Sequence, residues 1–170
     1  VDNCYYCQCG NFQCFYIKTA VAKKINFRDE VWLQQGTITQ YASYDDPTFF
    51  YKLYLMGYRM AYALKVRYVH LDASVGRPSK SKLQEKTIRY YSVSRNRTIF
   101  WYKFIWKQKR TMMSKAKALF GGMYGTINYT VYNLLINCSP KYWPAIKAMF
   151  IGYYDAIKYI KSHKHVNNNL

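Results

Sequence analysis

Four groups of residues in this chain have the types and spacing to do chemistry. The first is Tyr44-Asp45-Asp46-Pro47, two adjacent carboxylates directly before a proline. A carboxylate is a competent general base. Asp followed by Pro also suits a helix start, where Asp accepts free backbone N–H groups and Pro tolerates the first turn. Asp46 therefore reads either as a proton acceptor held ionised by a helix dipole or, more plainly, as an N-cap with Asp45 solvated beside it. The second is His70, 24 positions after Asp46 at the end of a strand-like stretch; a neutral imidazole there is a metal ligand or a hydrogen-bonded surface group. The third is Arg89-Tyr90-Tyr91 with Arg95-Asn96, where a planar guanidinium could pair with phosphate oxygens or line a solvated helix face. The fourth is Cys4, Cys7, Cys9 and Cys14. Their spacing lacks the second separated pair of a zinc ribbon, so small buried strand residues are the expectation.

The elements that must position these groups follow from pattern. The stretch from Cys4 to Ile17 alternates roughly and predicts a strand, or two. Thr19 to Ile25 predicts a short helix, and Asn26 to Gly36 an irregular segment anchored by Phe27, Val31, Trp32 and Leu33. A helix is expected from Asp46 to a stop at Gly57, burying Phe49, Leu53 and Met56, with an extended segment from Met60 to His70 after it. Ser79 to Lys109 contains neither Gly nor Pro and repeats apolar residues every three or four positions, predicting a long basic amphipathic helical region. Ala118 to Cys138 carries no formal charge over 21 residues. That length suits a membrane span, but Gly121, Gly122, Gly125, Asn128 and Asn133 make it weakly hydrophobic, so a packed or interfacial helix pair is expected. A last helix is expected from Pro144 to Ser162, with Ile146, Met149, Phe150, Tyr153, Ile157 and Ile160 on one side.

Charge is distributed unevenly. The net charge is +18, and residues 77–117 hold 13 basic side chains against 1 acidic, while residues 1–76 hold 8 against 6. Such a stretch concentrates polyanions: nucleic acid, phosphorylated substrates or anionic lipid heads. An apolar fraction of 51% excludes a disordered chain. Five cysteines, an odd number and mostly crowded at one end, speak against a secreted disulfide framework and for reduced thiols. With Val1 as its first residue and strand-like sequence almost at once, the chain reads as cut from something longer.

One ordered series of segments carries a resemblance: Gly10 to Lys18, Phe27-Arg28-Asp29-Glu30, Tyr44 to Leu53, Leu55 to Met60, Val66 to His70, and Arg89 to Arg97. In this order they resemble the second half of family-two, GT-A-fold inverting glycosyltransferases, in the rhamnosyl- and galactofuranosyltransferase-like branch that builds bacterial surface glycans. The likeness covers about residues 8–105. It implies an α/β fold class: a partial GT-A domain over 1–76, with few strands plus the catalytic-base helix, followed by a mainly helical region over 77–170 that packs on it or on the membrane surface. It also implies Asp46 as the general base, Asp45 orienting the acceptor, and His70 helping to bind a divalent cation, Mg or Mn. Trp32, Tyr44, Arg89, Tyr91, Arg95 and Asn96 are the substrate-binding residues this reading selects.

The partners implied are a nucleotide-sugar donor and a glycan or lipid-linked acceptor, at the cytoplasmic face of the cell membrane. The basic helix, with Trp101, Tyr102, Phe104 and Trp106 between its charges, would sit against anionic lipid. Ile25-Asn26 stands where the family has Gly-Gly, Asp45 where Glu is commoner, and the chain has no Asp-x-Asp metal motif. The nucleotide-binding half is thus expected outside this chain, which alone should not turn over substrate. Two other classes compete: a basic nucleic-acid-binding or ribosome-associated protein using the same charge and aromatics, and a membrane-surface structural protein.

Overall fold

A computed structural model describes residues 4–7, 15–25, 27–41, 43–63 and 81–163. The protein is mostly helical, and among the described residues the strands amount to one antiparallel pair. The chain divides into two compact units, one of Val1–Val31 with Asp45–Ser79, the other of Trp32–Tyr44 with Lys80–Leu170.

In the first unit, β1 (Cys4–Cys7) pairs antiparallel with β2 (Met60–Ala63), Cys4 opposite Ala63 and Cys7 opposite Met60. Between them in sequence lie α1 (Thr19–Lys24), a 3-10 helix over Phe27–Gln34 that kinks at Glu30, and α2 (Asp45–Leu55). Two acidic residues occupy the first turn of α2, where the helix dipole favours negative charge. The helix ends in a Schellman motif: Tyr58 N–H reaches the Leu53 carbonyl and Gly57 N–H the Tyr54 carbonyl, each at 3.0 Å, with Gly57 at φ +82°. Only glycine adopts that backbone without a Cβ clash.

Ile25, Phe50 and Leu53 form the core of this unit, with Ile17, Val21, Phe49, Tyr58 and Met60 packed around them. Phe50 rather than the expected Met56 is the buried partner of Leu53, because Met56 falls beyond the last helical turn and is exposed. Val31, expected as an anchor, is exposed as well, since the 3-10 geometry turns it away from Trp32 and Leu33. A buried ion pair, Lys52 Nζ to Glu30 Oε1 at 3.0 Å, ties α2 to the kink in the 3-10 helix.

The second unit is built on α3 (Lys82–Phe100), α4 (Met112–Ile136) and α5 (Trp143–Ser162). Ser81 and Gln84 start α3 with a capping box, and the helix runs into a π-helical stretch over Trp101–Trp106. Thr111 caps α4 through the Ser114 N–H. The expected helix pair over 118–138 is one continuous helix: none of its glycines breaks it. Gly122 and Gly125 instead face neighbours, since a Cβ on Gly122 would stand 2.5 Å from the Trp101 ring and one on Gly125 would strike the Arg97 guanidinium.

The face that α5 buries also differs from expectation. Ile146 and Met149 are inside, but Phe150 and Ile157 are exposed, and the buried row is completed by Ala145, Ala148, Gly152 and Ala156. Small residues at these spacings let α3 approach closely. Ser94 Oγ lies 2.9 Å from the Met149 carbonyl, and a Cβ on Gly152 would come within 2.5 Å of the Tyr91 carbonyl. Tyr90 closes this core with Ala145, Ile146 and Met149.

Candidate functional site

The densest polar chemistry of the helical unit surrounds two consecutive residues of α3. Arg95 and Asn96 are both almost fully buried, on the helix face that periodicity alone would assign to core hydrocarbons. Arg95 Nη1 donates to the Trp32 carbonyl at 2.6 Å and to Asn96 Oδ1 at 2.7 Å. Asn96 Nδ2 donates to the Leu33 carbonyl at 3.0 Å and the Ser43 carbonyl at 2.9 Å. Buried backbone acceptors need such partners, so the Arg-Asn pair clamps the two ends of the Trp32–Tyr44 segment onto α3.

Tyr44, next to the clamped Ser43, is a bulky residue in the left-handed region, φ 73°. That conformation costs about 1–2 kcal/mol for a side chain with a Cβ. Its ring packs on Phe100 at 5.6 Å between centroids. A backbone strained and held at this point delivers the chain into the first turn of α2, where Asp45 and Asp46 are half-buried. Burial first, and the adjacent Asp46 charge second, raise the Asp45 carboxyl above the usual aspartate range.

A second knot lies further toward the middle of the same segment. The Tyr91 hydroxyl donates to Asp155 Oδ2 at 2.6 Å and accepts the Thr37 N–H at 2.6 Å, and the Thr37 hydroxyl also donates to Asp155 Oδ2. Gly36 is required there, because a Cβ would stand 2.7 Å from Tyr91 Cε1. Burial, and then the bond to Asp155, raise the Tyr91 phenol. Burial also lowers the Arg95 guanidinium, opposed by Tyr91, Asp155 and Tyr159, whose ring centroid lies 5.8 Å from the guanidinium carbon.

A scan of family models, a search of curated proteins and a search of solved structures each return no match to this chain.

Of the residues selected from sequence, Trp32, Tyr44, Arg95 and Asn96 come together in one cluster with Ser43, and Tyr91 belongs to the second knot with Thr37 and Asp155. Trp32, Tyr91, Arg95 and Asn96 are buried. Arg89 lies on the exposed side of α3, apart from them. Asp45 and Asp46 open α2 in the other unit. His70, Cys9 and Cys14 lie outside the described residues, and Cys4 and Cys7 form the ends of β1. Among the described residues no group of three or more His, Cys, Asp or Glu could hold a metal ion.

Sequence reasoning missed Thr37, Ser43 and Asp155. Asp155 carried a signal, as the single acidic residue after Glu85, set mid-helix in an apolar stretch. The aromatics placed between basic residues also prove less available than their spacing suggests. Phe104 is buried, and Trp101 packs on α4 with its indole N–H 3.2 Å from the Ala118 carbonyl. Side chains engaged in this way are not open to stack on bases.

Proposed function

We propose that this chain is part of an inverting glycosyltransferase of the GT-A type, with the start of α2 as the acceptor-activating end of its site. The observation that carries the reading is the clamp on the residue before Tyr44-Asp45-Asp46. Asn96 holds the Ser43 carbonyl, Tyr44 takes a strained left-handed backbone, and two carboxylates follow on a helix N-terminus. A strained residue directly before an acidic pair in the chain supports a functional reading of that pair.

In this mechanism Asp46 removes the proton from the acceptor hydroxyl as its oxygen attacks the anomeric carbon. The bond to the nucleoside diphosphate breaks on the opposite face of the sugar, and the configuration inverts. Asp45, whose carboxyl holds its proton to a higher pH than an ordinary aspartate, orients the acceptor beside it. Asp46 stands beside Asp45 in the first turn of α2. The divalent cation that the resemblance calls for belongs with the donor diphosphate, and His70 is the ligand this chain would offer it. The acceptor is a glycan or a lipid-linked sugar, the donor a nucleotide sugar.

The test is transfer from a panel of nucleotide sugars by the natural full-length protein, with the anomeric configuration of the product read by NMR. An inverted product supports the reading. Retention of configuration contradicts it. So does absence of transfer with every donor, together with tight RNA binding that falls steeply with salt.

A further inference from the structure

The longest helix of the protein is turned inside out. Several polar residues along α4 and at its end face the protein: Asn133 is buried, Thr130 Oγ1 lies 3.1 Å from the Tyr153 hydroxyl, and Asn137 just past the helix end donates to the Tyr90 hydroxyl at 2.7 Å, while Asn128 is exposed. Its apolar residues face outward. Phe120, Tyr124, Ile127, Val131 and Leu135 follow one another at four- and three-residue steps, a single stripe about four turns long, and Phe120 and Leu135 are 70% and 71% exposed. A helix that meets water carries the opposite arrangement.

The surroundings of this stripe are charged, and all of one sign. No formal charge falls between Ala118 and Cys138, while Arg110, Lys115 and Lys117 stand at one end and Lys141 at the other. The stripe also folds inward along one side, as a cleft of about 400 Å³ between α3 and α4 lined by Leu119, Met123 and Ile127 and bordered by Arg97 and Trp101. Among the described residues no helix is long and apolar enough to cross a membrane. An uncharged apolar face with aromatic hydroxyls and cationic ends fits the boundary between acyl chains and anionic headgroups. A second copy of the chain fits worse, since it would set basic ends against basic ends in a molecule of net charge +18.

We infer that α4 is a membrane-docking helix, which lies in the headgroup boundary of an anionic bilayer with the Phe120 to Leu135 stripe in the acyl region. This moves the lipid contact from the basic aromatic stretch over 101–106, where Phe104 is buried and Trp101 packs on α4, to the helix that follows it. The inference stands apart from sugar transfer, and its test contains no nucleotide sugar, so the two readings fail separately.

The test is flotation of the chain with vesicles of phosphatidylcholine alone or with about a quarter phosphatidylglycerol. Wild type is expected on the anionic vesicles, with binding weakened by salt. The triple variant Phe120→Ser/Ile127→Ser/Leu135→Ser, all at exposed positions, is expected to keep its circular dichroism and lose about tenfold or more in vesicle affinity. Ile127→Trp is expected to bind at least as tightly and to shift its fluorescence to the blue on vesicle addition. Three results would each overturn the inference: no binding of wild type to anionic vesicles, undiminished binding of the triple variant, or a wild-type dimer that the triple variant converts to monomer without vesicle binding by either. The last outcome would assign the stripe to a second copy.

Discussion

Removing the Asn96 side chain tests the clamp on the Trp32–Tyr44 segment. Asn96→Ala deletes three hydrogen bonds: those to the Leu33 and Ser43 carbonyls and the one accepted from Arg95. A neutral buried bond contributes about 1 kcal/mol and one to a charged group about 1.5–3 kcal/mol, which gives about 3–5 kcal/mol in all. That is a large share of the roughly 5–15 kcal/mol that holds a domain folded. Asn133→Ala is the control. Asn133 is also buried, but its side chain bonds only within its own helix, to the Tyr129 carbonyl at 2.7 Å, so its loss should cost about 1 kcal/mol. Urea unfolding followed by circular dichroism gives both values. Asn96→Ala within about 1 kcal/mol of wild type, or no worse than Asn133→Ala, would refute the claim that this network pins the Trp32–Tyr44 segment.

Three further outcomes are expected. Gly152→Ala should destabilise by about 2 kcal/mol or more in thermal melts, because the new methyl meets Ser94 Oγ and the Tyr91 carbonyl at the closest approach of α3 and α5. Lys52→Met should cost about 1.5–3 kcal/mol in urea unfolding by removing the charged bond between Lys52 and Glu30. Alkaline unfolding should be steep. Tyr90, Tyr91, Tyr129 and Tyr153 all have raised pKa values, chiefly from burial, and Tyr129 is pushed up to about 12. An unfolded tyrosine loses its proton near 10, so the stability these groups contribute is complete below about pH 10 and is lost as pH rises through their raised folded values, about 12 for Tyr129. Tyr129→Phe should flatten that fall in a pH-jump series.

The parts of the fold that were legible in sequence are those set by neighbours along the chain. Asp45 and Asp46 before Pro47 start a helix, Gly57 stops it, and the run without Gly or Pro from Ser79 becomes α3, because caps and left-handed turns are local. The pairing of α3 with α5 was not legible. It rests on Ala145, Ala148, Gly152 and Ala156, which carry little hydrophobic signal, while Phe150 and Ile157 carry a strong one and face outward. Periodicity finds stripes and does not say which stripe turns inward. By residue type, Arg95 and Asn96 in a basic helix suggest a phosphate-pairing or solvated face and not a buried one. Their burial depends on acceptors more than fifty positions away, at Trp32, Leu33 and Ser43. Nothing in the residue type of Tyr44 announces its left-handed backbone, which the clamp at Ser43 and the ring contact with Phe100 hold in place.

Sugar transfer by the natural full-length protein carrying Asp46→Asn, measured beside wild type and Asp45→Asn, bears most directly on the proposed site. Asn keeps the shape and one side-chain oxygen but cannot take a proton. The account predicts a loss of about 10²–10⁴-fold in kcat for Asp46→Asn with an unchanged melting temperature, and a smaller loss for Asp45→Asn. Undiminished turnover in Asp46→Asn would contradict the assignment of this carboxylate as the base.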